Sequence, residues 1–328
     1  MKKFLIIILS VLLIILAGTG FYINSILDQV GKTAIIDKDT GEIVDTPEEK
    51  GISSNAPTIK ETGIINILLM GNDRRSKEET GHSDSMMIAS IDKKQKVVKI
   101  TSLMRDMYVP IPGKKDNRIN TAYLYGGPAL SIKTVNTNFN MNIEDYISVD
   151  FFALEEIINQ VGGVPIDIKK SEIKVINQYI NNLNNISDGT EKADRITSSG
   201  LQTLTGRQAV AYSRVRYVGR DDFERTERQR KVLNEIFKAG KAISITKVPD
   251  LIGTFLPNVE TSLSKAEILD IAIAMLGFNT QDIEQFRIPT DSTYKDEWVG
   301  EMLVLKPDIE ANKKLLHEFI FGANDINE

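Results

Sequence analysis

The run Ile64-Ile65-Asn66-Ile67-Leu68-Leu69-Met70 decides the fold, together with Ser85-Met86-Met87-Ile88-Ala89-Ser90-Ile91 and Val97-Val98-Lys99-Ile100-Thr101-Ser102-Leu103-Met104. The first run is too short to cross a membrane and nearly continuous in apolar residues, so it predicts a strand buried on both faces. The second and third flank the polar Asp92-Lys93-Lys94-Gln95-Lys96 and predict an antiparallel hairpin with a five-residue turn. Outward from this core, residues 127–139 suit a helix. Residues 146–149, 151–161 and 164–168, with Gly162-Gly163 as the helix stop, predict a right-handed βαβ unit. Residues 222–239, 265–278 and 307–321 predict further helices, and 286–288 and 302–305 short strands. Residues 171–200 show no clear period. The expected fold class is α/β, a mixed central sheet flanked by helices over residues 63–322, with a short tail at 323–328.

Composition narrows the chemistry. The 328 residues include 45 acidic and 40 basic side chains, two His and no Cys, for a net charge of −5. Disulfides, thiolate nucleophiles and zinc–thiolate or iron–sulfur sites are excluded. Two histidines leave little for a His-rich metal site or a His-relayed triad, so carboxylates and Arg/Lys must carry most of any catalysis. At the N-terminus, residues 4–23 are almost wholly apolar and uncharged after Lys2 and Lys3. That length predicts one transmembrane signal-anchor with residues 1–3 cytoplasmic and the rest outside. A cleavable signal peptide ending near Ala17-Gly18-Thr19-Gly20 is the alternative. Residues 24–62 are polar and mixed in charge and read as an extracytoplasmic linker.

Asp73 follows the first strand, Asp84 precedes the second, and Arg105 and Asp106 follow the third. A hairpin brings these positions to one sheet edge, where α/β folds place their sites. The plain reading is a surface ion pair. The sharper one is an oxygen-ligand Mg²⁺ site, which needs neither His nor Cys. Farther on, Arg207, Arg214, Arg216, Arg220, Arg225, Arg228 and Arg230 crowd 24 positions. Guanidinium groups grip phosphate oxygens bidentately. In the helix from 222, stepping back from Val232 and Ile236 by three and four reaches Arg225, Arg228 and Gln229. The inward stripe therefore continues as cations, which demands an anionic ligand or a buried acid. A salt-bridge ladder with Asp221, Asp222, Glu224 and Glu227 is the competing explanation.

These motifs resemble the LytR–CpsA–Psr glycopolymer transferases of Gram-positive envelopes. The resemblance runs through Asn66–Arg75, Ser83–Met87, Ser102–Val109, Arg118–Gly127, Val149–Phe151, Val161–Val164, Leu204–Arg216 and Asp222–Gln229, in order. It implies a Mg²⁺-dependent phosphotransferase in the cell membrane that moves a glycopolymer, such as wall teichoic acid or capsule, from undecaprenyl pyrophosphate to a peptidoglycan hydroxyl. By position, Asp73 and Asp84 would hold the metal, and Arg105, Arg214, Arg216, Arg225 and Gln229 the pyrophosphate. Arg105, Asp84 and Asp106 would be catalytic, Asp84 being the first candidate base and Asp106 the second. A groove for the lipid is expected among Ile132, Val135, Phe139, Phe151, Phe152, Leu154, Ile157, Ile176 and Ile180. His82 stands where the family usually has Arg, and Met104 where it commonly has Pro. A polyprenyl-pyrophosphate pyrophosphatase and a non-enzymatic envelope regulator are the alternatives; nucleic acid is not an expected partner.

Overall fold

The computed structural model describes residues 33–72, 83–186, 192–216, 222–242, 259–278, 280 and 282–322. Its strands are β1 (Ile64–Asn72), β2 (Ser83–Asp92), β3 (Val97–Leu103), β4 (Tyr108–Val109), β5 (Asn117–Arg118) and β6 (Asp145–Asp150). They continue as β7 (Val164–Ile168), β8 (Gly200–Leu204), β9 (Val259–Thr261), β10 (Glu284–Ile288), β11 (Tyr294–Val299) and β12 (Met302–Pro307). The helices are α1 (Ile59–Thr62), α2 (Thr121–Phe139), α3 (Phe151–Gln160), α4 (Ile173–Ile186), α5 (Gly206–Ser213), α6 (Asp222–Lys241), α7 (Lys265–Leu276) and α8 (Ile309–Phe321).

The predicted buried strand, β1, lies inside a six-stranded mixed sheet of order β10-β3-β2-β1-β6-β9. β1–β2 and β2–β3 pair antiparallel, whereas β1–β6 and β3–β10 pair parallel. Period-two alternation sends Leu68, Met70, Met86 and Ile88 to one face, where α2 and α8 cover them. Ile67, Leu69, Met87, Ala89 and Ile91 face the other side, toward α6 and α7. Leu68 and Ile88 are fully buried, each contributing roughly 1.5–3 kcal/mol of transfer free energy. Met104 extends β3 by donating its N–H to Ile288 O at 2.9 Å, a bond that a proline at this position could not make.

Two expectations change. Residues 164–168 do not form the second strand of a βαβ unit; β7 pairs antiparallel with β8 in a separate two-stranded sheet. The physical reason is visible in Val-Pro-Ile-Asp-Ile, whose Pro165 and Asp167 are exposed while its apolar residues are buried. A parallel strand of the central sheet would be covered on both faces. Within 171–200, α4 supplies a buried face of Ile176, Ile180 and Leu183 to a second core with α3, α5 and α6. α5 approaches α3 so closely that a Cβ on Gly206 would lie 2.0 Å from Glu155 O. The described part of the expected linker, residues 33–62, packs on the domain, with Ile35 and Val44 buried in the main core. Among the described residues no helix is long and apolar enough to cross a membrane; the expected anchor at 4–23 lies outside them.

Candidate functional site

Strand register builds the site. Gly71 pairs with Ser85, and Met86 with Leu103, so the end of β1, the start of β2 and the end of β3 share one edge. There Arg105 Nη1 donates to Asp84 Oδ1 at 2.6 Å. Arg105 Nε lies 3.5 Å from Asp222 Oδ1 and 3.7 Å from Asp106 Oδ2. Asp222 opens α6, and one turn later Arg225 Nη2 sits 2.6 Å from its Oδ1 and donates to Asp84 O at 3.1 Å. Arg216 Nη2 is 3.6 Å from the same Asp222 oxygen, and Arg118 Nε is 3.2 Å from Asp106 Oδ1. Asp84, Arg105, Asp106, Arg216 and Arg225 are thus brought together as the sequence predicts. Asp73 and His82 lie outside the described residues.

Electrostatics follow from this crowding. Burial favours the neutral form of Asp84, but the charges of Arg225, Arg105 and Arg216 together outweigh it and hold the carboxyl below its ordinary value. Asp222 goes the other way: burial, aided by Asp106, raises it despite its three arginine neighbours. Burial also pulls Arg225 down to about 10, with Asp222 opposing and Arg105 and Arg216 reinforcing the fall. For Arg105, burial is outweighed by Asp222, Asp106 and Asp84, and its proton is held above the usual guanidinium range. Several buried polar atoms here make no hydrogen bond: Arg105 Nε, Arg216 Nη2, Arg225 Nε and both Asp222 oxygens. Buried polar atoms clustered in this way leave donors and acceptors that a polar ligand or water could meet.

The arginine cluster divides by role. Arg207 is clamped by Glu155, with Nε 3.1 Å from both carboxylate oxygens, and by Asn184 at 3.0 Å. Arg228 donates to Glu172 Oε1 at 2.9 Å, Glu224 Oε2 at 2.8 Å and Val215 O at 3.2 Å. Both are structural; the ladder explanation holds for Arg228 with Glu224, and its Asp222 rung is also made, with Arg225. Arg230 turns to Ser102 Oγ at 2.8 Å, toward the β3–β10 side. Arg214, Arg216, Arg225 and Gln229 instead line one cavity of about 460 Å³, with Asp84 and Asp150. The Arg214 guanidinium stacks 4.0 Å from the Phe151 ring centroid and lies 5.5 Å from that of Tyr179.

Behind this charged mouth the cavity becomes apolar. Leu69, Ile147, Ile157, Leu233 and Ile236 line it and also a second cavity of about 480 Å³, which reaches Phe237, Ile271 and Met275. The two cavities share this wall and lie side by side between the sheet and α6. Of the residues expected to form a lipid groove, Phe151, Leu154 and Ile157 line the first of them. Ile132, Val135 and Phe139 are instead core on the opposite sheet face, Ile176 and Ile180 belong to the α4 core, and Phe152 is half-exposed. Sequence reasoning also missed Asp222 and Arg118 as site residues. Asp222, three before Arg225, was legible only as a rung of a ladder; nothing local reveals that Arg118 reaches Asp106.

The donor set near Arg105 is all oxygen. Asp84 and Asp222 both contact Arg105 and Arg225, and carboxylate oxygens of this kind are the ligands a hard divalent cation takes. Among the described residues no group of three or more His, Cys, Asp or Glu has metal-binding geometry.

Comparison with known proteins gives a consistent picture. The LytR_cpsA_psr family matches residues 27–318. The chain is 32% identical over 273 residues to the polyisoprenyl-teichoic acid–peptidoglycan teichoic acid transferase TagU of Bacillus anthracis, covering 82% of each. It is 29% identical over 270 residues to the regulatory protein MsrR of Staphylococcus aureus, covering 81% of this chain and 77% of that one. Among solved structures, Bacillus subtilis TagV superposes with a TM-score of 0.61 at 28% identity, over 78% of this chain and 97% of that one. TagT with bound octaprenyl pyrophosphate superposes at 0.62 and 21% identity, over 86% and 100%, a likeness of fold.

Proposed function

This chain belongs to the LytR–CpsA–Psr family, and from that premise we propose that it transfers a phosphate-linked glycopolymer from a polyprenyl pyrophosphate, undecaprenyl in the cell, to a peptidoglycan hydroxyl. One observation supports the substrate class most directly: a mouth bearing Arg214, Arg216 and Arg225 opens into an apolar passage between sheet and helix. Passages lined by aliphatic side chains stay dry and favour apolar occupants. A ligand matching both ends carries a diphosphate head and a long hydrocarbon tail. The TagU relative, named for transfer of a polyisoprenyl-linked teichoic acid, fits that reading.

The chemistry needs little beyond positioning and charge neutralisation. Arg105, Arg216 and Arg225 carry the unpartnered N–H groups that would take phosphate oxygens. Asp84 and Asp73 would hold Mg²⁺, which when bound neutralises phosphate charge as the new bond forms. Asp84, depressed and locked to Arg105, is a poor proton acceptor; Asp106, at the longer distances of 3.2 and 3.7 Å from Arg118 and Arg105, is assigned as the base for the acceptor hydroxyl. The domain acts outside the membrane on a single N-terminal anchor.

The test is reconstitution. Lipid-pyrophosphate-linked glycan, Mg²⁺ and soluble peptidoglycan should give covalent glycan–peptidoglycan, and Arg105→Ala should abolish it. Equal release of lipid monophosphate with and without acceptor would show a pyrophosphatase instead. Binding without turnover would leave only the regulator.

A further inference from the structure

The antiparallel hairpin β11–β12 is the part of the fold that the donor reading leaves unused. Its two-residue turn, Gly300-Glu301, has Gly300 at φ 61°, as tight hairpins require. The hairpin is joined to the site at three points. Leu305 N–H donates to Asp106 O at 2.9 Å, and Met107 and Leu305 form a bridge. Arg118, which holds Asp106, donates from Nη2 to Leu303 O at 2.9 Å. Tyr294 packs 5.8 Å from Phe223, the neighbour of Asp222.

Register places Tyr294 opposite Pro307, Asp296 opposite Leu305 and Trp298 opposite Leu303, all on one face of the hairpin. At the inner end, Leu305 is buried and Tyr294 packs against the main core. At the outer end, the same face carries Trp298 and Leu303, 68% and 46% exposed. The face thus runs out past the core edge beside Arg118 and Asp106, with the exposed Asp296 between its inner and outer apolar parts. An exposed indole beside a polar, hydrogen-bonding rim suits the C–H face and hydroxyls of a sugar ring.

Reaction geometry says which sugar comes here. The reading rests on the proposed transfer: the acceptor hydroxyl oxygen bonds to the phosphorus, the phosphorus–bridging oxygen bond breaks, the hydroxyl proton passes to Asp106, and the lipid leaves as monophosphate. Entering and leaving oxygens must lie roughly in line. The lipid passage occupies the sheet face of Met87, Ala89 and Ile91, whereas Leu305 and Tyr294 pack with Met86 and Leu103 on the opposite face. The acceptor must therefore approach from the hairpin side. We propose that the outer face of β11–β12, centred on Trp298 and Leu303, is the acceptor subsite and binds a neutral N-acetylhexosamine strand of the peptidoglycan type.

Trp298 is the single tryptophan of the chain, so its fluorescence reports this face alone. Titrating the full chain with chitohexaose should give a saturable emission change, and maltohexaose should give none. In the transfer assay, Trp298→Ala should raise the acceptor KM about tenfold or more, equivalent to losing one decade of affinity, with kcat and octaprenyl pyrophosphate binding little changed; Trp298→Phe should recover most of it. A flat chitohexaose titration, or an acceptor KM for the alanine variant within twofold of wild type, would overturn the subsite. A wild-type chain that binds chitohexaose but makes no transfer product would refute the transferase reading and not the sugar-binding face. Donor-lipid binding by the alanine variant shows that the fold survives.

Discussion

Arg225→Lys is the sharpest perturbation of the site, because it keeps the charge and removes the fork. In the structure one Nη of Arg225 serves both Asp222 and the Asp84 carbonyl, while Nε is buried without a partner. A phosphate oxygen bound through that Nε is therefore an added, charge-assisted hydrogen bond in a buried setting, worth about 1.5–3 kcal/mol. A lysine ammonium can replace the bond to Asp222 or the bond to phosphate but not both. The expected loss of affinity for octaprenyl pyrophosphate is roughly 10- to 150-fold. Calorimetric or filter-binding titration in detergent measures it, with Arg230→Lys as the comparison. Arg230 belongs to the same cluster and helix but faces Ser102, so its variant should bind like wild type. Equal affinities for Arg225→Lys and wild type would refute the view that this guanidinium receives the head group. Equal losses in both variants would mean that the effect is not specific to the guanidinium at the cavity mouth, and would equally refute that assignment.

Glu172→Gln should destabilise the chain by about 1.5–3 kcal/mol, because Arg228 keeps Glu224 and Val215 O but loses one buried charge-assisted partner; urea melts measure this, and the folded variant should bind donor lipid as wild type does. Ile236 lines both cavities, so Ile236→Arg should block the passage, reducing octaprenyl pyrophosphate binding while sparing a short-chain analogue such as isopentenyl pyrophosphate. Parallel losses for both lipids would show that the passage is not where the tail lies. His317 is buried, with Nε2 2.8 Å from Phe139 O, and burial, reinforced by Lys313, lowers its pKa against the opposing hydrogen bond. The unfolded chain thus takes up a proton more readily, so the stability that neutral His317 provides is complete above pH about 6.5 and is lost as pH falls toward the folded value. The melting temperature should drop between pH 7.5 and 5.5, and His317→Gln should flatten that slope.

The central strands were readable because burial on two faces leaves a continuous apolar run, and the hairpin because a charged five-residue interruption has few other meanings. From those two facts the convergence of Asp84 and Arg105 followed without any knowledge of side chains. The misplaced βαβ unit shows the limit: strand, helix and strand were all correct in kind, but partner choice for 164–168 depended on one exposed face that Pro165 and Asp167 announced. The arginine cluster shows another. Arg207 and Arg228 are matched to Glu155 and Glu172, which lie 52 and 56 positions away, so no local spacing separates them from Arg225. The apolar passage was hidden for a third reason. Leu69, Ala89 and Ile147 have the same chemistry whether they pack on a side chain or line a cavity, and only the position of α6 above the sheet decides between the two.

That position gives α6 its part in the proposed reaction. Along one face, Arg225, Gln229, Val232 and Ile236 follow at intervals of three and four and line the passage from mouth to interior. Polarity falls along this face from a buried guanidinium, through an amide, to aliphatic carbon, matching a lipid that changes from diphosphate to hydrocarbon over a similar distance. The guanidiniums would repel one another at the mouth, but Asp84, Asp106 and Asp222 hold them in place before any phosphate arrives. Asp222 is the telling member: three arginines surround it, yet burial keeps its proton affinity above normal, so it is an anion poorly solvated where it stands. A phosphate entering with four or more oxygens can meet donors that Asp222 leaves unbonded. The carboxylates therefore preorganise the cations without saturating them, which is the arrangement that favours developing phosphate charge in a transition state.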